Sequence, residues 1–163
     1  MVAKHILHND ANLFDFVLIG IASGENQYVI INNINAMLNI ELALTQNLRS
    51  ASKNSDLFDF SVYSYLDEEL GLEYCVVPNK SNFKPKQKTG PAYDLFAESK
   101  QVIEQSILLI NELPHTNYFL LLKGESAVHE QYTVFKLLRQ IECIEQVHEI
   151  IPDKLQSKNN LIF

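Results

Sequence analysis

The side chains most able to do chemistry fall into three short groups. Asp67, Glu68 and Glu69, with Glu73 close behind, form an acidic stretch that could hold a cation or a basic partner, or serve as a solvated hairpin tip. Lys80, Lys84, Lys86 and Lys88 surround Phe83 with no acid among them, and Lys84, Lys86 and Lys88 are the candidates for gripping an anion. Cys143 lies five residues before His148, a spacing from which a thiolate–imidazole pair could be assembled. Each has a plainer reading as turn, exposed loop or helix-end packing. His129-Glu130 begins like a zinc-protease motif, but position 133 is Thr where the second histidine would stand, so no metal is expected. The other histidines, His5, His8 and His115, are scattered, and neither cysteine has a CxxC neighbour. Phosphate-loop, dinucleotide and nucleophile-elbow motifs do not occur, so no cofactor is expected and no residue is assigned as catalytic.

Composition narrows the field further. A chain of 163 residues is the size of one domain, expected to span 1–163, and a hydrophobic fraction of 47% supplies a core. Net charge is −7, which disfavours nucleic acid, whose binders gather a basic face to release counterions. No apolar run approaches the ~20 residues of a membrane helix, and Met1-Val2-Ala3-Lys4-His5 lacks the apolar segment of a secretory signal, so a cytoplasmic protein without membrane contact is expected. Cys75 and Cys143, two isolated thiols in such a compartment, read as small apolar residues and not as a disulfide.

The elements that must position these groups follow from periodicity. Residues 14–21 form a short apolar run ending in glycine and serine, a buried strand and turn. A helix follows with Ser23 as N-cap, and Ile30, Ile31, Ile34, Met37 and Leu38 on one face, although the β-branched Val29-Ile30-Ile31 resists helix. Residues 44–56 are polar and read as a loop or a frayed helix end. Phe58, Phe60 and Val62 alternate with polar neighbours as a half-buried strand should, and residues 74–77 make its hairpin partner. Residues 79–93 concentrate lysine, Pro85, Gly90 and Pro91 and are expected to be a mobile loop. Two continuous apolar runs, 107–110 and 118–122, flank turn chemistry and predict a hairpin whose strands are buried on both faces or at a subunit contact. Val128, Tyr132, Phe135 and Leu138 mark a second helix behind Ser126, and Val147 to Ile151 a last strand stopped by Pro152. The order β-α-β-β-β-β-α-β predicts an α+β fold: an antiparallel sheet of five to six strands with both helices on one face.

Residues 110–118, Ile-Asn-Glu-Leu-Pro-His-Thr-Asn-Tyr, have the spacing of the signature that names the IPExxxVDY family, with Ile110, Glu112 and Tyr118 matching as they stand. Asn111, Thr116 and Asn117 replace its proline, valine and aspartate. Leu18-Ile19-Gly20-Ile21 with Ser23-Gly24-Glu25, the aromatic stretch Phe60 to Tyr65 followed by Asp67-Glu68, and the closing Ser157 to Phe163 resemble the family in the same order. The resemblance runs from about residue 15 to residue 163. It implies a bacterial protein, chiefly of Bacteroidota, in a family with no established activity. Glu112 and Tyr118 then become candidates, as a carboxylate and phenol acting as acid and base or as structural residues of a turn and a strand.

Leu161, Ile162 and Phe163 are apolar where a chain end is commonly polar. Their burial is worth about 1.5–3 kcal/mol each before ordering costs. They are expected to cover the chain's own sheet or to dock on an edge strand of a second copy or another protein. The combined expectation is a small non-enzymatic interaction module, a homodimer with a possible further protein partner, in which Glu112, Tyr118, Leu161, Ile162 and Phe163 contact ligand or partner. Two alternatives stand beside it: a small-ligand sensor, and an enzyme whose site has no recognisable motif.

Overall fold

The computed structural model describes residues 14–51, 57–83 and 106–163. Its strands are β1 (Phe16–Ala22), β2 (Ala43–Ala51), β3 (Leu57–Asp67), β4 (Leu72–Pro78), β5 (Asn82–Phe83), β6 (Tyr118–Lys123) and β7 (Gln146–Ile150). Two helices interrupt them, α1 (Gln27–Leu38) and α2 (Ala127–Leu138), and two short 3-10 turns close the chain at Pro152–Lys154 and Lys158–Leu161. The strands form one antiparallel sheet in the order β2-β3-β4-β6-β1-β7, with the two-residue β5 pairing β3 alongside β4. Both helices lie on one face, so the expected α+β fold is what the chain adopts.

Alternation along the central strands divides the interior into two cores. Ile19 and Ile21 of β1, Tyr74 and Val76 of β4, and Tyr118, Leu120 and Leu122 of β6 face the helices. There they meet Ile30, Ile31 and Ile34 of α1 and Ala127, Val134 and Leu138 of α2. Leu18, Cys75, Val77, Phe119 and Leu121 point the other way, into a second core completed by Leu109, Ile110, Leu155 and Leu161. Residues 118–122 are therefore apolar without alternation because both faces of β6 are covered.

Several local expectations are corrected. The N-cap of α1 is Asn26, whose side chain accepts from the Val29 N–H at 3.1 Å; the Ser23 hydroxyl instead donates to the Cys143 carbonyl. The helix expected there, with Ile30, Ile31 and Ile34 on its buried face, does form, their tertiary burial overriding the β-branched run. The buried stripe of α2 is Ala127, Val134 and Leu138, whereas Val128 and Tyr132 are 71% and 76% exposed. Ser126 precedes α2, but its hydroxyl donates to the Leu70 carbonyl at 2.6 Å and caps nothing in the helix. Part of the stretch read as loop is the edge strand β2, wet along most of its length, so its sequence shows no period; pairing with β3 makes it a strand.

The hairpin expected between 107–110 and 118–122 does not form. Strand β6 pairs with β1 and β4, and the run from Ile107 to Ile110 is irregular, joined to residues 79–81 by one Lys80–Leu108 bridge and by Ser81–Ile107 bonds. Its burial was legible because it is apolar; its backbone path depends on a distant partner. The expected mobile loop also begins too early, since Asn79 and Ser81 are buried and residues 82–83 are a strand. The rest of that stretch, 84–93, lies outside the described residues, and so do Lys84, Lys86 and Lys88.

Candidate functional site

Glu112 and Tyr118 are brought to opposite sides of the sheet. The Glu112 carboxylate accepts from the Ser157 backbone N–H at 2.7 Å and from the Ser157 hydroxyl at 2.8 Å. Those bonds, the hydroxyl's first, hold its pKa below the usual carboxylate range. Ser157 directly precedes the last 3-10 turn, so Glu112 anchors that turn to the irregular segment. The Tyr118 ring belongs to the helix-side core, and its hydroxyl donates to the Glu25 carbonyl at 2.7 Å. Burial, reinforced by Glu25 and Cys143, raises its pKa and disfavours the phenolate. The two share no pocket, which removes the geometric basis for an acid–base pair.

The rest of the signature region is equally occupied. Ile110 is fully buried in the second core and Thr116 is buried beneath β7, its hydroxyl 3.2 Å from His148 Nε2. The Asn117 Oδ1 accepts from the Ser23 N–H at 2.9 Å, while its own N–H donates to the Ile21 carbonyl at 2.9 Å. These bonds seat the start of β6 against the end of β1.

The organising residue that the sequence reading missed is Asn79, which is fully buried. Its Nδ2 donates to the carbonyls of Leu113 at 2.9 Å and Thr116 at 3.0 Å, with a longer approach of 3.4 Å to Ile110. Its Oδ1 accepts from the Ile110 N–H at 2.8 Å. The Asn79 main chain completes the clamp, donating to the Asn117 carbonyl at 2.8 Å and accepting from the Leu109 N–H at 2.7 Å. A segment with no ladder partner needs another source of donors and acceptors when it is buried, and an amide side chain supplies both. The available signal was an asparagine directly after the apolar β4 run, bounded by Pro78.

The last residues dock on their own chain. Leu161 is 0% exposed within the second core, Phe163 is partly buried against it, and Ile162 remains 41% exposed. The Asn160 side chain donates to the Leu109 carbonyl at 2.8 Å. Lys123 Nζ donates to the Phe163 carbonyl at 3.1 Å and lies 4.7 Å above the Phe163 ring. Of the two docking modes expected for this segment, the intrachain one is realised for Leu161.

The remaining candidates do not gather either. The Asp67 carboxylate closes its own turn, accepting from the N–H groups of Glu69 and Leu70 at 3.0 Å each. Among the described residues no three His, Cys, Asp or Glu side chains could hold a metal ion together. Burial pushes the Cys75 thiol up to about 12, far from a working thiolate. Cys143 is only half-buried, and the His148 imidazole takes Thr116 as its partner. Burial also lowers the His148 pKa.

A cavity of about 450 Å³ is lined by Arg139, Ile144, Glu145, Gln146, Val147 and His148. Val147 packs towards the helix-side core, whereas His148 opposes Gly20 across the strand pair and reaches Thr116 behind the sheet. A space touching both is therefore at the outer edge of β7, beside the C-terminal end of α2. Gly20 is required here, since a Cβ on it would lie 2.5 Å from His148 Nε2. No family model, curated protein or solved structure matches the chain. No helix among the described residues is long and apolar enough to cross a membrane.

Proposed function

We propose that this chain is a non-enzymatic protein-interaction module that pairs as a homodimer and works through the open edges of its sheet. The observation that carries this reading is that β2 and β7, the two ends of the sheet, each have a strand neighbour on one side only among the described residues. An edge strand offers unpaired N–H and C=O groups to an incoming chain. The β2 edge runs nine residues with Arg49 as its single charge, already beside Asp59 at 3.6 Å. Exposed Tyr28 and Tyr132 on the helical layer add side chains of the kind that anchor interfaces, and exposed Val128 adds apolar surface on α2. The polar candidates support the same reading, because Glu112, Tyr118 and Asn117 are engaged in holding the fold. Kinship with the IPExxxVDY family and a cytoplasmic location belong to this proposal and rest on the residues quoted above.

Sedimentation velocity from micromolar to near-millimolar concentration tests the pairing. A dimer that dissociates when lysines replace Thr45 and Asn47 on the β2 edge is the expected result. A monomer at every concentration would sink the dimer. The cavity beside β7 favours a second reading, a small-ligand-binding domain, for which a metabolite thermal-shift screen is the check. A shift abolished by Arg139→Gln would favour that second reading.

A further inference from the structure

The cavity at β7 has the parts of a peptide groove. We infer that it receives an extended segment of a partner protein, added as a strand to β7, with one carboxylate of that segment held by Arg139. This deepens the interaction-module reading and rests on it.

Three observations converge on this site. First, among the described residues β7 pairs with β1 alone, in an unbroken register from Gln146 opposite Ala22 to Ile150 opposite Leu18. In an antiparallel edge strand, alternate residues turn both backbone groups outward. The other edge, β2, is the one assigned above to pairing between copies, and its register shifts between Leu44 and Gln46, so β7 is the edge with the unbroken row. Second, the cavity wall consists of residues 144–148, of which Gln146, Val147 and His148 belong to β7, together with Arg139 just past the end of α2. Ile144 and Val147 give that wall apolar contacts, and Thr116 fixes the His148 ring over Gly20.

Third, Arg139 makes no ion pair among the described residues; its guanidinium stands 6.0 Å from the Phe135 ring at the helix end. In a chain of net charge −7, a cation left unpaired on a groove wall is a selective feature. A guanidinium can hold a carboxylate through two parallel N–H···O bonds. Glu145 lines the same cavity and repels a second carboxylate, so the favoured segment carries one acid among apolar and neutral polar residues and is not an acidic run.

The test uses capped pentapeptides of alternating valine and threonine, with one glutamate moved through each position, and the same set with glutamine. Binding to the full chain is followed by fluorescence anisotropy, and the contact surface by amide hydrogen exchange. The expected result is a preference of about tenfold for glutamate in one position, collapsing to near unity in Arg139→Gln. Slowed exchange should fall on residues 146–150, and Glu145→Gln should raise affinity for peptides carrying two acids. Equal binding of both sets, protection elsewhere, or no binding up to millimolar peptide would each overturn the groove. A chain that binds no peptide yet still dimerises through β2 would leave the interaction-module reading intact.

Discussion

The two faces of the sheet are covered by different physical devices. On one side α1 and α2 bring their own backbone hydrogen bonds and need only present Ile30, Ile31, Ile34, Ala127, Val134 and Leu138 to the strands. On the other, residues 107–117 and the two 3-10 turns cover the sheet with irregular backbone, and side chains must supply the missing partners. Asn79, Glu112, Asn160 and Ser81 do so. The difference teaches that a helical layer asks polar side chains for little beyond a cap such as Asn26, whereas an irregular layer depends on several polar clamps at once.

The strongest way to break the comparison is Asn79→Leu. It leaves the buried Ile110 N–H and the Thr116 carbonyl without partners, at about 1–3 kcal/mol for each, and strips the Leu113 carbonyl of one of its two bonds, the other coming from the Thr116 N–H. Urea denaturation should show a loss on the order of 4 kcal/mol or failure to fold. Asn79→Asp, which can still accept from Ile110, should recover part of it. Leu161→Ala comes next, at about 2–5 kcal/mol for a fully buried leucine, whereas Ile162→Ala should cost far less because Ile162 is 41% exposed. Equal losses for the two would mean that the last residues are not docked as described.

Gly20→Ala sharpens the contrast at a third level. The added methyl meets the His148 ring and the Ile150 side chain, costing about 1–3 kcal/mol. His148→Ala in the same chain should restore part of that stability, a coupling a double-mutant cycle would read. His148 also sets a pH effect. Its pKa in the folded chain lies below its unfolded value, so the folded state disfavours the charged ring. Stability is full above the unfolded histidine pKa and falls as pH drops from there through the folded value. His148→Ala should flatten that slope.

Glu112→Gln should give a smaller effect, about 1 kcal/mol at neutral pH, comparable to losing a helix cap. The Glu112 pKa is depressed in the folded chain, so its contribution is present above the unfolded glutamate value and disappears as pH falls through the lower folded one. The variant should lack that acid-side loss. Asn117→Asp is expected to change least, within about 0.5 kcal/mol, because a carboxylate accepts the Ser23 bond equally well. A large loss there would show that the Asn117 amide N–H groups matter.

Sequence alone determined the elements whose residues carry their own period. Strand β3 follows from Phe58, Phe60 and Val62, α1 from its isoleucine stripe, and β6 from an apolar run that had to be covered on both sides. It also singled out Glu112 and Tyr118 but not their use, since a glutamate that braces Ser157 and one that moves a proton look alike in a linear chain. Tertiary structure decided the rest. The exposed edge strand β2 turns little besides Leu48 toward a core, too little to impress a period on its residues, so only pairing with β3 reveals it. The run from Ile107 to Ile110 must be buried, but Asn79, twenty-eight residues before Ile107, fixes its path through hydrogen bonds that local propensity does not encode. Likewise the cavity at β7 joins Arg139 to His148 only because the turn after α2 folds the strand back beside the helix end. Period is written residue by residue, whereas the satisfaction of buried backbone is settled between segments far apart in the chain.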